Sequence, residues 1–348
     1  MKRQIFCFLM VCLFTRQTVW AAESWPNSAI NTISTQTNGE GVRIAIIDTG
    51  ISVNAIDKTK IAKGKNYITG DSNTEDKIGH GTAMAGILVG MESKRIIGIA
   101  PNATLVPFVY CTEDEDGKII NSGKEMLSKS IRDAVDKFDC QVILISAGAI
   151  EGSEDWKSAI EYTEKKGVVV VASVGNENED HPEYLYYPAS YETVIGVAAL
   201  REDGEVATFS QQNSSVDLSA PGTGLNVCTI RGKTIKAFGT SYSAAFVTGG
   251  VAQLLSEYKS LTPEQVRKSL CNTAKDISAE GYDTKSGYGV LQIKEALVYA
   301  KQFNETNQKE DAEHQKNILI TFSSIAIIIS SVIIVLIILR KRTLKKGL

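Results

Sequence analysis

The chain has 348 residues, 43% hydrophobic and 22% charged, which is typical of a folded protein with one large domain or two small ones. All 40 acidic residues lie within residues 23–316 together with 29 of the 37 basic residues, so this part carries a net charge of −11. That charge argues against a nucleic acid partner, which would need a basic surface. It favours instead a cationic peptide or protein.

Residues 1–22 are predicted to be a secretory signal peptide. Lys2 and Arg3 precede an apolar run, and the small residues Ala21 and Ala22 mark a cleavage point near the end of the segment. A short basic region, an apolar region and small residues, in this order, are typical of signal peptides. We therefore expect the remainder of the chain to be exported.

Residues 318–339 are predicted to form a transmembrane helix. The run contains no charged residue, and at about 1.5 Å per residue it is long enough to cross a bilayer core of about 30 Å. Five basic residues follow it within 340–348, which predicts a cytoplasmic tail and an extracytoplasmic main domain. The polar residues 301–317 are interpreted as a stalk between that domain and the membrane.

Apolar strands alternate with helical patterns between the two ends. The first strand, within 42–50, is an almost unbroken apolar run that ends on Asp48, as strands of buried parallel sheets do. Further strands are predicted at 103–110, 141–146, 168–173 and 193–199, with helices starting at His80 and covering 127–138, 158–166, 240–258, a segment from Pro263, and 291–300. This alternation predicts an α/β domain over 23–300 with a mainly parallel sheet.

Three glycine-containing segments carry residues suited to nucleophilic catalysis. Ser241 lies at the start of the long apolar helix at 240–258, where Thr240 or Ser241, taken alone, is more typical of a helix cap than of a nucleophile. As a nucleophile it would need a base, and His80, at the start of another helix, is a better candidate than His181. Asp48, at the end of a strand, would orient the imidazole of His80.

These segments resemble the motifs of the subtilisin-like serine proteases, or subtilases. IAIIDTG around Asp48, GHGTAMAGI around His80 and GTSYSAAFVTG around Ser241 resemble the aspartate, histidine and serine motifs, in the family's order. VASVGNEN around Asn176 resembles the oxyanion segment. The resemblance extends over 24–300. It implies a three-layer α/β sandwich, a catalytic triad of Asp48, His80 and Ser241, and an oxyanion donor in Asn176.

The resemblance also implies where substrate binds. Ser146, Ala147 and Gly148 would pair with an extended peptide and form one wall of the primary specificity pocket, with Glu177 on the other wall. Further acidic residues surround the same cleft: Glu113, Asp114, Glu115, Asp116, Glu179, Asp180 and Glu183. They predict a preference for basic residues in the substrate, and a merely solvated acidic loop is the alternative.

The sequence departs from the family pattern at several positions. Tyr242 stands where subtilases commonly have methionine, and Ala245 replaces the usual helix proline. The segment 91–99 contains Lys94 and Arg95, and these cations argue against the family's tight calcium site. No cofactor and no metal are therefore predicted, although weaker calcium sites remain open.

Two further expectations concern folding of the exported part. About 26 residues separate the signal peptide from Asp48, which leaves no room for the family's usual propeptide, so folding without one is expected. The cysteines that remain after signal removal lie beside apolar residues without a CxxC pair, so they are expected to be free thiols.

The predicted function is that of a serine endopeptidase tethered to the cell membrane, with its catalytic domain on the extracytoplasmic side. Its substrates would be exported peptides or proteins, since the layout is similar to that of mycosins and of peptidases that trim bacteriocin leaders. The alternative is a catalytically silent scaffold or binding subunit of a membrane complex with the same fold. The sequence does not indicate an oligomeric state.

Overall fold

The computed structural model describes residues 25–32, 38–91 and 96–309, together with Lys316 and Ile318. The predicted signal peptide lies outside this part of the chain, and so does the predicted transmembrane run except for Ile318. No helix within the described part combines the length and apolar character needed to cross a bilayer.

Strands and helices alternate along the described chain. The strands are β1 (Arg43–Asp48), β2 (Lys65–Asn66), β3 (Gly90–Met91), β4 (Ile96–Ile97), β5 (Thr104–Val109), β6 (Cys111–Glu113), β7 (Ile119–Asn121), β8 (Val142–Ile145), β9 (Val169–Ser173), β10 (Ile195–Leu200), β11 (Leu218–Pro221), β12 (Leu225–Cys228) and β13 (Thr234–Ala237). The α-helices are α1 (Trp25–Ala29), α2 (His80–Val89), α3 (Lys124–Asp136), α4 (Glu154–Lys165), α5 (Thr240–Glu257), α6 (Pro263–Cys271) and α7 (293–309), with a 3-10 turn at Lys58–Lys60.

A seven-stranded sheet forms the centre of the described fold, in the order β11-β10-β9-β8-β1-β5-β2. Each neighbouring pair in it is parallel, which confirms the mainly parallel sheet that the sequence predicts. From β1 the chain adds β5 on one side and then β8 on the other. The carboxyl end of β1 is therefore a topological switch point, where open α/β sheets bind their ligands.

Helices cover both faces of this sheet. Successive residues of β1 alternate between them: Ile44 and Ile46 pack in the core under α2 and α5, whereas Ala45 and Ile47 pack in the core under α3 and α4. Because side chains alternate along a strand, an apolar run such as β1 can serve two cores at once. The result is the predicted three-layer α/β sandwich.

Several elements differ from those expected. β11, at one edge of the sheet, and the hairpins β6–β7 and β12–β13 were not predicted. All of these strands are short, and β6, β7 and β13 each bury at most one residue, so these three lack an apolar pattern. Helix α4 also begins earlier than expected, at Glu154, because the Ser153 hydroxyl accepts a hydrogen bond from the N–H of Trp156 and caps it.

Helix α7 crosses the predicted boundary between domain and stalk at residue 300 without a break. Asn304 accepts a hydrogen bond from the Ser260 hydroxyl at 3.1 Å, and the Asn307 side chain donates to the Ser260 carbonyl at 2.8 Å. Phe303 packs against the core. Residues 301–309 therefore lie against the domain in the structure.

The cysteines of the described part are free thiols, as predicted: Cys111, Cys140, Cys228 and Cys271. Burial raises the pKa of the Cys228 thiol to about 11, so this sulfur remains protonated and packs as a small apolar group. Within the described residues, no three His, Cys, Asp or Glu side chains come together as metal ligands would.

Two adjacent glycines in α5 provide a test of how closely this central helix packs. A Cβ atom at Gly249 would lie 2.5 Å from Cβ of Ile99, whereas one at Gly250 would lie 3.4 Å from Ile293, an ordinary contact. Gly249→Ala is therefore expected to lower the free energy of unfolding by about 1–3 kcal/mol through overpacking. Gly250→Ala is expected to raise it by up to about 1 kcal/mol through helix propensity.

Thermal and denaturant unfolding of both variants, made in a Ser241→Ala background to prevent self-cleavage, would measure this difference. Equal stabilities of the two variants would contradict the packing described here.

Candidate active site

Asp48 is a buried carboxylate at the carboxyl end of β1, with 4% of its surface exposed. Its Oδ1 accepts a hydrogen bond from the N–H of Thr49 at 2.8 Å. Both of its oxygens face Nδ1 of His80, at 2.8 and 2.9 Å. A buried charge is tolerated when it is paired in this way, so the carboxylate fixes the ring and leaves Nε2 as the free nitrogen.

A close backbone approach brings His80 to this carboxylate. His80 is the first residue of α2, and a Cβ atom at the next residue, Gly81, would lie 2.2 Å from the carbonyl oxygen of Gly50. Only glycine allows the start of the helix to pack so tightly against the turn that follows β1. The N–H of Gly81 also donates to the Thr49 hydroxyl at 2.9 Å.

The environment of His80 favours its protonated form. Burial alone would lower the pKa of this imidazole, but the charge and hydrogen bond of Asp48, with a smaller contribution from Asp76, raise it above the ordinary value of 6.5. The ring remains 30% exposed. It can therefore exchange a proton with a group in the cleft and hold the resulting positive charge against Asp48.

Ser241 lies in the first turn of α5 with 7% of its surface exposed. Its hydroxyl donates a long hydrogen bond, 3.4 Å, to the carbonyl oxygen of Ser146, and within the described residues no hydrogen bond joins it to His80. The ring of His80 lies beside the next residue, Tyr242, with the ring centroids 5.8 Å apart. Catalytic hydrogen bonds are often long or misaligned without substrate, so this arrangement is compatible with a nucleophile.

Asn176 follows β9 and is tied to the start of α5. Its Oδ1 accepts hydrogen bonds from both the N–H and the hydroxyl of Thr240, each at 2.9 Å. Because the backbone N–H can only donate, the amide oxygen must face Thr240, and the amide nitrogen faces away from it. A Cβ atom at Gly239 would lie 3.7 Å from that nitrogen. The NH₂ group therefore lies near Gly239, two residues before Ser241.

The sequence model of the Peptidase_S8 group, described as the subtilase family, matches residues 39–289. The chain belongs to the subtilase family. Subtilisin DY of Bacillus licheniformis is 30% identical over 262 residues, which make up 74% of this chain and 91% of that protein.

Two solved structures extend the comparison. The crystal structure of fervidolysin from Fervidobacterium pennivorans, a keratinolytic enzyme related to subtilisin, matches with a TM-score of 0.71 and 29% identity, covering 79% of this chain and 45% of that one. The crystal structure of a lanthipeptide protease matches with a TM-score of 0.64 and 26% identity, covering 75% of this chain and 88% of that one. This subtilase is a subtilisin-like serine endopeptidase, as the sequence predicted.

The expected substrate-binding residues of this subtilase lie at the carboxyl ends of the strands, as Asp48 does. Ser146, Ala147 and Gly148 follow β8 directly, and the carbonyl of Ser146 contacts Ser241. Glu177 is exposed and adjacent to Asn176. Two segments, one after β8 and one after β9, therefore flank the candidate nucleophile.

Two positioning residues of this subtilase were missed in the sequence. Asp76 is 3% exposed, and its carboxylate accepts hydrogen bonds from the N–H groups of Ile78, Gly79 and Thr82 and from the Thr82 hydroxyl. It thereby caps α2, since Gly79 at the N-cap offers no side-chain oxygen. The sequence feature that could have indicated this cap is an aspartate three residues before Gly79, the residue that precedes the helix.

Thr240, the other missed residue, anchors Asn176. Tyr242, which stands where subtilases commonly have methionine, has its ring beside that of His80. Burial and, second, the charge of Asp48 raise the pKa of the Tyr242 hydroxyl.

The pairing of Asp48 with His80 predicts a specific pH dependence. A raised pKa in the folded state means that pairing contributes stability fully below pH 6.5, and that this contribution is lost as the pH rises through the folded pKa. In Asp48→Asn the two main raising causes disappear while burial remains, so the pKa of His80 is expected to fall below 6.5.

NMR titration of the His80 ring protons in the two proteins would measure this shift. The ring signal of the exposed His181 serves as the control and should be unaffected by the substitution. A His80 titration that is identical in both proteins would contradict the assignment.

Proposed function

We propose that this subtilase hydrolyses peptide bonds through an acyl-enzyme formed on Ser241. The observation that carries the proposal is the bond between Asp48 and Nδ1 of His80, which leaves Nε2 free, with the ring beside Tyr242, the residue that follows Ser241. The hydroxyl group of Ser241 is a weak nucleophile unless a base takes its proton. His80 is the titratable group that can serve as that base.

The reaction then runs in two halves. Ser241 Oγ attacks the scissile carbonyl carbon while its proton moves to Nε2 of His80, and the C–N bond breaks as the leaving amine takes that proton. In the second half a water molecule gives its proton to His80 and attacks the acyl carbon. The ester bond breaks, the acid product leaves, and the proton returns to Ser241. Asp48 stabilises the imidazolium in both halves.

Negative charge develops on the carbonyl oxygen in each half, and we assign Asn176 as its side-chain donor. Its amide oxygen is held by Thr240, so the NH₂ group does not need to reorient during reaction. Donors that are already oriented in this way stabilise the oxyanion at no reorganisation cost. The N–H of Ser241, in the first turn of α5, is the second donor.

Labelling with a fluorophosphonate probe, followed by kinetics, tests this proposal. Wild type should be labelled and Ser241→Ala should not, because the probe forms its bond with an activated serine. Asn176→Ala is expected to lower kcat by about 10²–10³-fold through loss of one oxyanion donor.

The matched control for that substitution is Asn178→Ala. Asn178 lies on the same segment as Asn176, and its side chain donates to the carbonyl of Thr208. The Asn178→Ala variant should retain a rate within a few-fold of wild type. Folded wild-type protein that is not labelled would instead support a silent scaffold with this fold.

The proposal extends to location and substrates. A tether formed by residues 318–339, on the extracytoplasmic side of a cell membrane, is supported by the uncharged run and the basic residues that follow it. Exported peptides or proteins would then be the substrates. The similarity to a lanthipeptide protease supports a peptide substrate for this chain as well.

Acidic groups near the site support a preference for basic residues in these substrates. The N–H of Tyr110 donates to the carbonyl of Asp48, and the hairpin β6–β7 follows immediately, at the same edge of the sheet. Asp114 holds the turn of this hairpin by accepting from two N–H groups. The exposed Glu113, Glu115 and Asp116 are thus available to attract cationic side chains.

Activity measured in cell fractions tests the location, and mass spectrometry of the peptides from cells that express the full chain tests the substrates. Activity is expected in the membrane fraction for wild type and in the soluble fraction for a chain that ends after residue 317. Peptides lost in Ser241→Ala should carry Lys or Arg within about five residues of the cut, because these residues can pair with the acidic hairpin. Identical peptides in both strains, or a truncated chain that stays with the membrane, would contradict the proposal.

A further inference from the structure

The two segments that flank Ser241 follow neighbouring strands, and the space between them is called the gap here. The first, which starts at Ser146, contacts the Ser241 hydroxyl, and the second contains Asn176, which is bonded to Thr240. Their parent strands β8 and β9 are paired in the sheet, so the segments emerge side by side. The resemblance to subtilases implies that the side chain on the acyl side of the scissile bond enters this gap.

The ring of Tyr186 lies in the gap. On one side, a Cβ atom at Gly148 would lie 3.7 Å from Cδ1 of this ring. On the other side, a Cβ atom at Gly175 would lie 2.3 Å from Cδ2, so the ring packs directly against the glycine that precedes Asn176. The ring of Tyr186 therefore lies between the two segments.

The backbone around Tyr186 is held in place. The carbonyl of Tyr186 accepts hydrogen bonds from the N–H and the hydroxyl of Ser190, at 3.0 and 2.9 Å. The next residue, Tyr187, exchanges two backbone hydrogen bonds with Ala149, at 2.8 and 3.1 Å. Tyr184 adds an edge-on ring contact. The ring could leave the gap only by rotating its own side chain, which would give up the contact with Gly175.

The carboxylate of Glu177 lies near the hydroxyl of Tyr186. Burial and, second, this carboxylate raise the pKa of the hydroxyl, so it stays protonated and can donate to Glu177. Glu177 is the residue that the sequence placed on the pocket wall as a partner for basic side chains. A cation in the gap would compete with this hydroxyl for the Glu177 carboxylate.

We propose that Tyr186 restricts the residue on the acyl side of the scissile bond to a small side chain, glycine, alanine or serine, by filling the gap between the segments after β8 and β9. The proposal rests on the nucleophilic role of Ser241. A Leu or Phe side chain would overlap the ring or displace it from Gly175, and overpacking of a formed site is unfavourable. Basic residues of the substrate then bind at positions further from the cut.

A peptide series that varies only the acyl-side residue tests the proposal on the full chain. Wild type is expected to cleave the alanine peptide with a kcat/KM at least about 10-fold above that of the leucine and phenylalanine peptides, the usual scale of steric discrimination by a pocket. Tyr186→Gly should raise kcat/KM for the phenylalanine peptide about 10–100-fold and change that of the alanine peptide only a few-fold.

Two control variants isolate the role of the ring. Tyr186→Phe keeps the ring without the hydroxyl and should retain the wild-type preference. Tyr282→Gly makes the same change as Tyr186→Gly at an exposed tyrosine next to Tyr288. The N–H of Tyr288 donates to the carbonyl of Asp217, just before β11 begins. This site therefore lies at the amino ends of the parallel strands, opposite the carboxyl ends that carry Ser146 and Asn176, and the preference should not change.

Fluorophosphonate labelling of each protein separates the possible failures. Absence of labelling in wild type contradicts the proposed function itself. A labelled wild type that cleaves after leucine or phenylalanine as well as after alanine overturns the inference without any variant, even if Tyr186→Gly does not fold. A Tyr186→Gly protein that is labelled like wild type but keeps its preference overturns it too.

Discussion

The pairing of the Asp48 carboxylate with His80 is the constraint on which the rest of the site depends. A carboxylate that is 4% exposed would be strongly destabilising without compensation. Compensation comes from Thr49 and from the His80 ring. The ring can reach the carboxylate only because α2 begins against the turn after β1, at a distance that a side chain on Gly81 would prevent. The close contact of two backbone segments thus determines the position of the proton acceptor.

The second half of the site is organised by Thr240, without a buried charge. This residue opens α5 and holds the amide oxygen of Asn176, while the following hydroxyl, on Ser241, contacts the carbonyl of Ser146. Loops from β8 and β9 are thereby joined to one helix terminus. Because these strands are paired and parallel, the sheet itself sets the spacing between the loops, and the side chains need only small adjustments.

Sequence reasoning recovered the features that have a local pattern. The apolar runs predicted the parallel strands, and the segments around Asp48, His80 and Ser241 predicted the enzyme class. Features that depend on distant residues were not recoverable. Asp76 caps α2 from a position before that helix begins. Tyr186 lies between Gly148 and Gly175, which are far apart in sequence but approach the same ring. The hairpin β6–β7 and the strand β13 were missed because almost none of their residues is buried, so their sequence has little apolar periodicity.

The first and last described elements of the domain meet on one side of the fold. The N–H of Ile293, at the start of α7, donates to the carbonyl of Ile30, and Asn31 binds Glu295. Ile30 itself is completely buried. These contacts join the first described segment of the chain to α7. A pulling force applied along α7 would therefore act on them before it acted on the parallel sheet. The same adjacency makes the fold a candidate for circular permutation, with new ends placed in a loop remote from the cleft.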